Sequence, residues 1–322
     1  MTTTVIDNQN QNDHEPTVDE LTERMSSDKF VWIDVSNATD ADRLLLSKGL
    51  GLSDDQISNA LSMRQRPRII DLDEKLAIII VYGLSGSESS DPVELHVLIS
   101  EKFVVTIHNG ALECLDQVCH RHRQQTYQAP QTPLSVLHQV VESLADGYFP
   151  RLSALDDEID DIEDGIFKNP TDEQLQQLFL MKRELIGMRR VVAPMRDMLG
   201  AVFTGVVELP GFTEDTSGWL RDAYDHTIRI SDLIDGYRDL LAGAMDVYLS
   251  TVSNRLNAVM KQLTVIATIF LPLSFLTGFF GQNFAFLVNR IGSAWTFWVF
   301  AIGFELAIVV GMLWLFRRRK WI

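Results

Sequence analysis

Several side chains in this sequence stand where they could do chemistry with cations. Asp222 and Asp225, in LRDAYDH, are three residues apart, a spacing that puts both carboxylates on one helix face, where they could share a divalent ion. Isolated pairs of this kind are also common on helices that bind nothing. Asp156, Asp157, Glu158, Asp160, Asp161, Glu163 and Asp164 form a dense acidic run that would concentrate cations, or would serve only as a solvated helix face. Cys114, Cys119, His120 and His122 have the composition of a soft-metal cluster. At 100° per residue, however, the two cysteines point about 140° apart, which favours a core cysteine and surface histidines. Glu305 interrupts an apolar segment, and an ionisable group there is a functional candidate by default. No nucleophile with its base and no phosphate loop is visible, so an enzyme is not expected.

The elements around these residues are membrane-like near the C-terminus. From Gln262 to Asn289 there is no charged residue, and Leu263 to Phe280 is apolar enough and long enough to span a bilayer. A second such run lies between Arg290 and Arg317, broken only by Glu305. The short connection implies an antiparallel hairpin. Arg255 and Lys261 precede the first span, Arg317, Arg318, Arg319 and Lys320 follow the second, and the loop carries only Arg290. The positive-inside rule then predicts a multi-pass protein of the cell membrane with both termini in the cytoplasm. The formal charge of −16 argues against nucleic acid as a partner and for a surface that attracts cations. Two cysteines are too few for a disulfide framework, and the mean hydropathy of +0.03 is too low for a carrier of many spans.

Upstream, FVWIDV at 30–35, LAIIIVYGL at 76–84, and VELHVLIS with FVVTIH at 93–108 read as strands of a mostly buried sheet. From Pro133 onward the pattern is helical. One helix is predicted from Pro133 to Phe167, stopped by Asn169-Pro170, and a second from the Thr171/Gln174 capping box to about Phe203. Thr213, Asp215, Thr216 and Ser217 offer helix-start chemistry for a third. Ile230, Ile234, Tyr237, Leu241, Met245, Tyr248, Val252 and Leu256 then recur every three or four residues and run into the first span. A helix from Ser217 to Phe280 would be roughly 95 Å long at 1.5 Å per residue, and its apolar seam calls for copies of itself. The predicted organisation is a disordered tail at 1–25, a cytoplasmic α/β domain at 26–130, and long antiparallel helices at 131–212. A stalk helix at 213–261 follows, then a first span at 262–283, an external loop at 284–292, a second span at 293–316 and a basic tail at 317–322.

The stretch YDHTIRISDLIDGYRDLLAGAMDVYLSTVSNRLNAVMKQLTVIATIFLPLSFLTGFFGQN, Tyr224 to Asn283, resembles the stalk and first membrane helix of CorA-type metal-ion transporters. FVWIDV, RPRIIDLDEKLAIII and FVVTIHNG resemble the cytoplasmic domain of the same family. The family signature is Gly-Met-Asn. Here Gly281, Gln282 and Asn283 replace it, and FAFLVNRIG lacks the family's acidic loop. The resemblance implies a funnel-shaped homopentamer that passes magnesium or cobalt inward and is gated by cytoplasmic metal, so that divalent cations are both substrate and regulatory ligand. A zinc transporter of the related proton-coupled branch, or a non-conducting membrane-anchored metal sensor, are the alternatives.

Counting back from the tripeptide, the resemblance puts Asn257, Met260, Leu263, Ala267, Leu271, Ser274 and Gly278 on the pore face. Amide, hydroxyl and aliphatic positions on one face suit polar stations separated by hydrophobic constrictions, although small residues also pack helices in membranes. A ring of Asn283 amide oxygens would hold a hydrated magnesium ion through its waters. Gly281 and Asn283 equally suit a helix C-cap. Asp222 and Asp225 match the family's regulatory metal positions between subunits, with Glu88 or Asp91 of a neighbour as the expected partner. For Glu305, a carboxyl donating to the Thr268 carbonyl, which Pro272 leaves without a donor, is weighed against a cation or proton relay.

Overall fold

The computed structural model describes residues 3–6, 16–27, 30–73, 75–86, 91–124, 132–212, 217–282, 293–319 and 321, in two units, Met1–Met245 and Asp246–Ile322. In the first unit β1 (Thr3–Ile6), β2 (Val31–Ser36), β3 (Arg68–Asp73), β4 (Leu76–Leu84), β5 (Pro92–Ser100) and β6 (Phe103–His108) form one sheet, ordered β1-β2-β6-β5-β4-β3. The β2–β6 pair is parallel and all other neighbours are antiparallel. Side chains alternate across the pleat, so Ala77, Ile79 and Val81 enter one core and Ile78 and Ile80 the other. Burial on both faces explains why β4 is almost continuously apolar. Helices α1 (Val18–Ser26), α2 (Asp40–Leu50) and α3 (Asp54–Leu61) supply Leu21, Leu46 and Ile57 to the second core. Helices α4 (Glu113–Arg123), α5 (Pro133–Asp146) and α7 (Asp172–Phe203) cover the first core.

The strand expectations for β2, β4, β5 and β6 match the structure. Thr3–Ile6 and Val18–Ser26, expected in a disordered tail, instead form β1 and α1. Pairing with β2, the hydrogen bond between Thr3 and the buried Asp42, and the packing of Leu21 hold them. The helix expected from Pro133 to Phe167 is divided at Gly147 into α5 and α6 (Tyr148–Lys168). Glycine is a weak helix former, and Pro150 cannot donate to the carbonyl four residues back, at Asp146. Thr171 and Gln174 form the capping box of α7. On α6, Leu152, Leu155, Ile159, Ile162 and Ile166 are buried, each contributing about 1.5–3 kcal/mol. Arg151 on α6 binds both oxygens of Glu184 on α7, at 2.6 and 2.9 Å. Gly83 lets α5 approach β4: a Cβ there would lie 2.4 Å from the Leu144 side chain.

Helix α8 spans Ser217–Phe280 and begins in the first unit, where Leu220, Ala223, Ile230, Ile234, Leu241 and Ala244 are buried. The helix-start residues Thr213, Asp215 and Thr216 lie outside the described residues. In the second unit, a helical turn at Ala294–Thr296 and a π-helical stretch at Phe297–Gly303 lead into α9 (Phe304–Arg318).

Candidate functional site

Two segments are apolar enough to cross a membrane. The best windows within Gly218–Phe280 and Phe297–Arg318 have mean hydropathies of 2.0 and 2.3. Within the first, burial divides the helix surface. Val265 is buried, and Thr268, Ile269, Pro272, Leu273 and Leu276 are half-buried, a stripe at spacings of three and four. Asn257, Met260, Leu263, Ala267, Leu271, Ser274 and Gly278 are all exposed. At 100° per residue the centre of this second set lies about 155° from the first. The residues assigned to the pore therefore occupy the face that the protomer itself leaves uncovered.

Hydroxyls on this helix differ in how they are satisfied. Thr264 donates to the Met260 carbonyl at 2.8 Å, Thr268 to Thr264 at 2.6 Å, and Thr277 to Leu273 at 2.9 Å. Such bonds to the preceding turn let a hydroxyl sit in lipid. The Ser274 hydroxyl, and the side-chain amides of Asn257 and Gln282, have no hydrogen bond among the described residues. The helix ends at Phe280, where the Gly281 amide donates to Thr277 at 2.9 Å and the Gln282 amide to Phe279 at 3.3 Å. A Cβ on Gly281 would sit 3.0 Å from the Thr277 carbonyl oxygen, close enough that the carbonyl would have to shift by a few tenths of an ångström. Asn283 and Arg290 lie outside the described residues.

Glu305 is half-buried on α9, on the stripe with Ile308, Val309, Met312 and Phe316. It makes no hydrogen bond among the described residues, so the expected donation to the Thr268 carbonyl is not formed. Phe316 stacks on Trp321 with ring centroids 5.8 Å apart, Lys261 Nζ lies 5.9 Å from the Trp321 ring, and Arg318 lies 5.4 Å from that of Trp314. These contacts tie the basic tail to the start of the first span.

Among the described residues of the protomer, no three His, Cys, Asp or Glu side chains converge to hold a metal. Asp222 and Asp225 are both exposed, Glu88 lies outside the described residues, and Asp91 is exposed just before β5. The residues that the structure brings near Asp222 are histidines. His138 on α5 has a lowered pKa because burial disfavours its charged form, against the charges of Glu142 and Asp222. His226 Nδ1 lies 3.3 Å from Asp146 Oδ1, and neither that nitrogen nor His138 Nε2 has a hydrogen bond among the described residues. Sequence reasoning passed over both.

The acidic run is a solvated face of α6, and of its seven carboxylates Glu158 pairs with Arg151 at 2.7 Å. Cys114 and Cys119 are both buried and form no disulfide, and burial pushes the Cys114 thiol up to about 11. His122, expected at the surface, is instead buried edge-on against Trp32 at 5.2 Å. A further pattern was missed. Asp225, Asp232 and Asp239 recur every seven residues on α8, all exposed, and Asp246 continues the spacing. Seven residues are close to two helical turns, so the three form one acidic stripe, and the spacing alone would have found it.

A mixed α/β domain, a very long helix and two apolar helices with an uncharged polar-spotted face define a two-span membrane protein of the metal-ion transporter class. The profile of the family described as CorA-like Mg2+ transporter protein matches residues 27–318, and the chain belongs to that family. It is 31% identical over 270 residues to the cobalt/magnesium transport protein CorA of Thermotoga maritima, covering 83% of this chain and 76% of that one. It is 25% identical over 302 residues to the zinc transport protein ZntB of Pectobacterium carotovorum, covering 92% and 90%. The complete structure of the CorA magnesium transporter from Methanocaldococcus jannaschii superposes with a TM-score of 0.80 at 23% identity, covering 91% of this chain and 92% of that one. The chain is therefore a divalent metal cation transporter of the CorA family and not an enzyme.

Proposed function

We propose that this chain is a homopentameric channel for magnesium, and also cobalt, influx, set in the cell membrane with both termini in the cytoplasm and gated by cytoplasmic metal. The observation that carries the reading is the uncovered face of the first span. Asn257, Ser274 and Gln282 offer polar groups without internal partners, separated by Met260, Leu263, Ala267 and Leu271. Repeated around a symmetry axis, such groups can meet the waters of a hydrated ion, and the aliphatic rings between them form constrictions. Asn283 would complete the outer ring. Asp222 and Asp225 would hold the regulatory ion between subunits, with Glu88 or Asp91 as candidate partners, and bound metal would act by favouring the closed state.

The similarity to ZntB supports a second reading, zinc transport coupled to protons. Uptake of magnesium, cobalt and zinc into liposomes, with and without a pH gradient, separates the two. Magnesium and cobalt uptake indifferent to the gradient is expected. Zinc uptake that requires the gradient would replace the first reading with the second.

A further inference from the structure

Arg64, Gln65, Arg66, Pro67 and Arg68 follow α3 and place three arginines at alternate positions, all exposed, in a chain of net charge −16. The loop is held in place. Arg64 has a φ of 70°, in the left-handed region that a β-carbon disfavours. Glu94 on β5 holds it there: its Oε2 accepts the Arg64 amide at 2.5 Å and its Oε1 the Gln65 amide at 2.9 Å. Glu94 is itself fixed by the buried His96, whose Nε2 lies 2.8 Å from Oε1 and whose Nδ1 lies 2.7 Å from the Ala60 carbonyl oxygen. The Tyr82 hydroxyl donates to the Gln65 carbonyl, and Pro67 is buried beneath the loop.

An imidazole, a carboxylate and a phenol are thus committed to a strained backbone whose guanidinium groups gain nothing within the protomer. The Arg64 and Arg66 side chains make no ion pair or hydrogen bond among the described residues, and Arg68 reaches only the Gln65 side chain. By contrast Arg151, Arg189, Arg196 and Arg238 each pair with a carboxylate. An ordered row of unpaired cations fits an anionic partner. The Arg64 and Gln65 amides, which could have cradled a phosphate, already donate to Glu94, so the groups on offer are guanidiniums, and carboxylates suit them. Carboxylates of that kind are presented by the same chain. Asp225, Asp232 and Asp239 form an exposed stripe on α8 and have no ion pair among the described residues.

We infer that Arg64, Arg66 and Arg68 dock on Asp232 and Asp239, the exposed α8 aspartates outside the proposed metal pair, of a neighbouring copy of this chain, forming a salt-sensitive contact between protomers. The inference rests on the homo-oligomer reading and adds the surface that joins the copies. Native mass spectrometry of the full-length protein in detergent, at low and high sodium chloride, tests it. Replacing the three arginines with glutamine leaves the backbone clamp on Glu94 intact. That variant should dissociate at low salt with a dissociation constant roughly tenfold higher, and should lose most of the salt dependence of the wild type. A triple lysine variant should assemble as the wild type does. Arg64→Glu with Arg66→Glu should weaken assembly, and adding Asp232→Lys with Asp239→Lys should restore it. A glutamine variant as stable and as salt-sensitive as the wild type overturns the contact. So does one that assembles normally but loses binding to anionic lipid vesicles, which would assign the loop to the membrane. A wild type that is monomeric at every salt concentration refutes the oligomer reading and this contact with it.

Discussion

Replacing His138 with phenylalanine should stabilise the protein, and more so in acid. The residue is only 7% exposed, its Nε2 has no partner among the described residues, and its Nδ1 lies 4.0 Å from Glu142 Oε2, too far for a hydrogen bond. Its ring packs against Trp219 with centroids 6.1 Å apart, a contact phenylalanine would keep. An unsatisfied buried polar atom costs about 1–3 kcal/mol, so a gain of about 1 kcal/mol is expected near neutral pH, where the imidazole is uncharged. For a unit of this size that corresponds to a rise in Tm of about 2–4 °C. Because burial lowers the folded-state pKa, the unfolded chain takes up a proton near pH ~6.5 while the folded one resists it. The wild type therefore has full stability from this group above that pH and loses it as the pH falls through the folded pKa. The variant lacks that loss, so the gap should widen in acid. Thermal unfolding of the full-length protein in detergent, with chelator present and followed by tryptophan fluorescence, measures both effects. A lower Tm for the variant, or a gap that does not change with pH, would refute the reasoning.

Other perturbations separate the roles assigned above. Ser274→Ala should reduce magnesium flux about 3- to 10-fold, the worth of one hydrogen bond to the ion's water, whereas Thr268→Val, which removes a hydroxyl bonded within its own helix, should leave flux unchanged in the same liposome assay. Glu305→Leu and Glu305→Gln should both assemble and transport normally at every pH, since the carboxyl makes no hydrogen bond among the described residues; loss of uptake in both, with assembly intact, would make Glu305 an ion or proton carrier. Although burial pulls His108 down, the Asp34 carboxylate 3.5 Å from its Nε2 holds its pKa above the usual value. The stability it contributes is complete below about pH 6.5 and is lost as the pH rises through the raised pKa, and Asp34→Asn should flatten that part of the melting profile. Leu155→Ala should cost about 2–5 kcal/mol by opening a cavity under α6, read as a lower Tm.

What could be read from the sequence was what a single segment's chemistry dictates. LAIIIVYGL and FVVTIH are buried on both faces of the sheet, so their β-branched runs needed no context. The Thr171/Gln174 capping box and the two apolar spans are equally local. β3 was not legible as a strand of its own, because RIIDLD is an edge strand of mixed polarity with a register shift between Asp71 and Asp73. The fate of His122 depends on Trp32, 90 positions away in the chain, and the predicament of His138 depends on a helix that begins at Ser217. The candidate pore face came from counting back from Gly281, and its relation to the covered stripe through Val265 required the second helix to be in place.

The account stands most directly on the passage of ions through the assembled protein. Purified full-length chain in liposomes, loaded with a divalent-sensitive dye and challenged with magnesium, should show an inward flux that Asn283→Ala abolishes while native mass spectrometry finds the same oligomer. An intact oligomer that passes neither magnesium nor cobalt, or an Asn283→Ala variant that conducts as the wild type does, would contradict it.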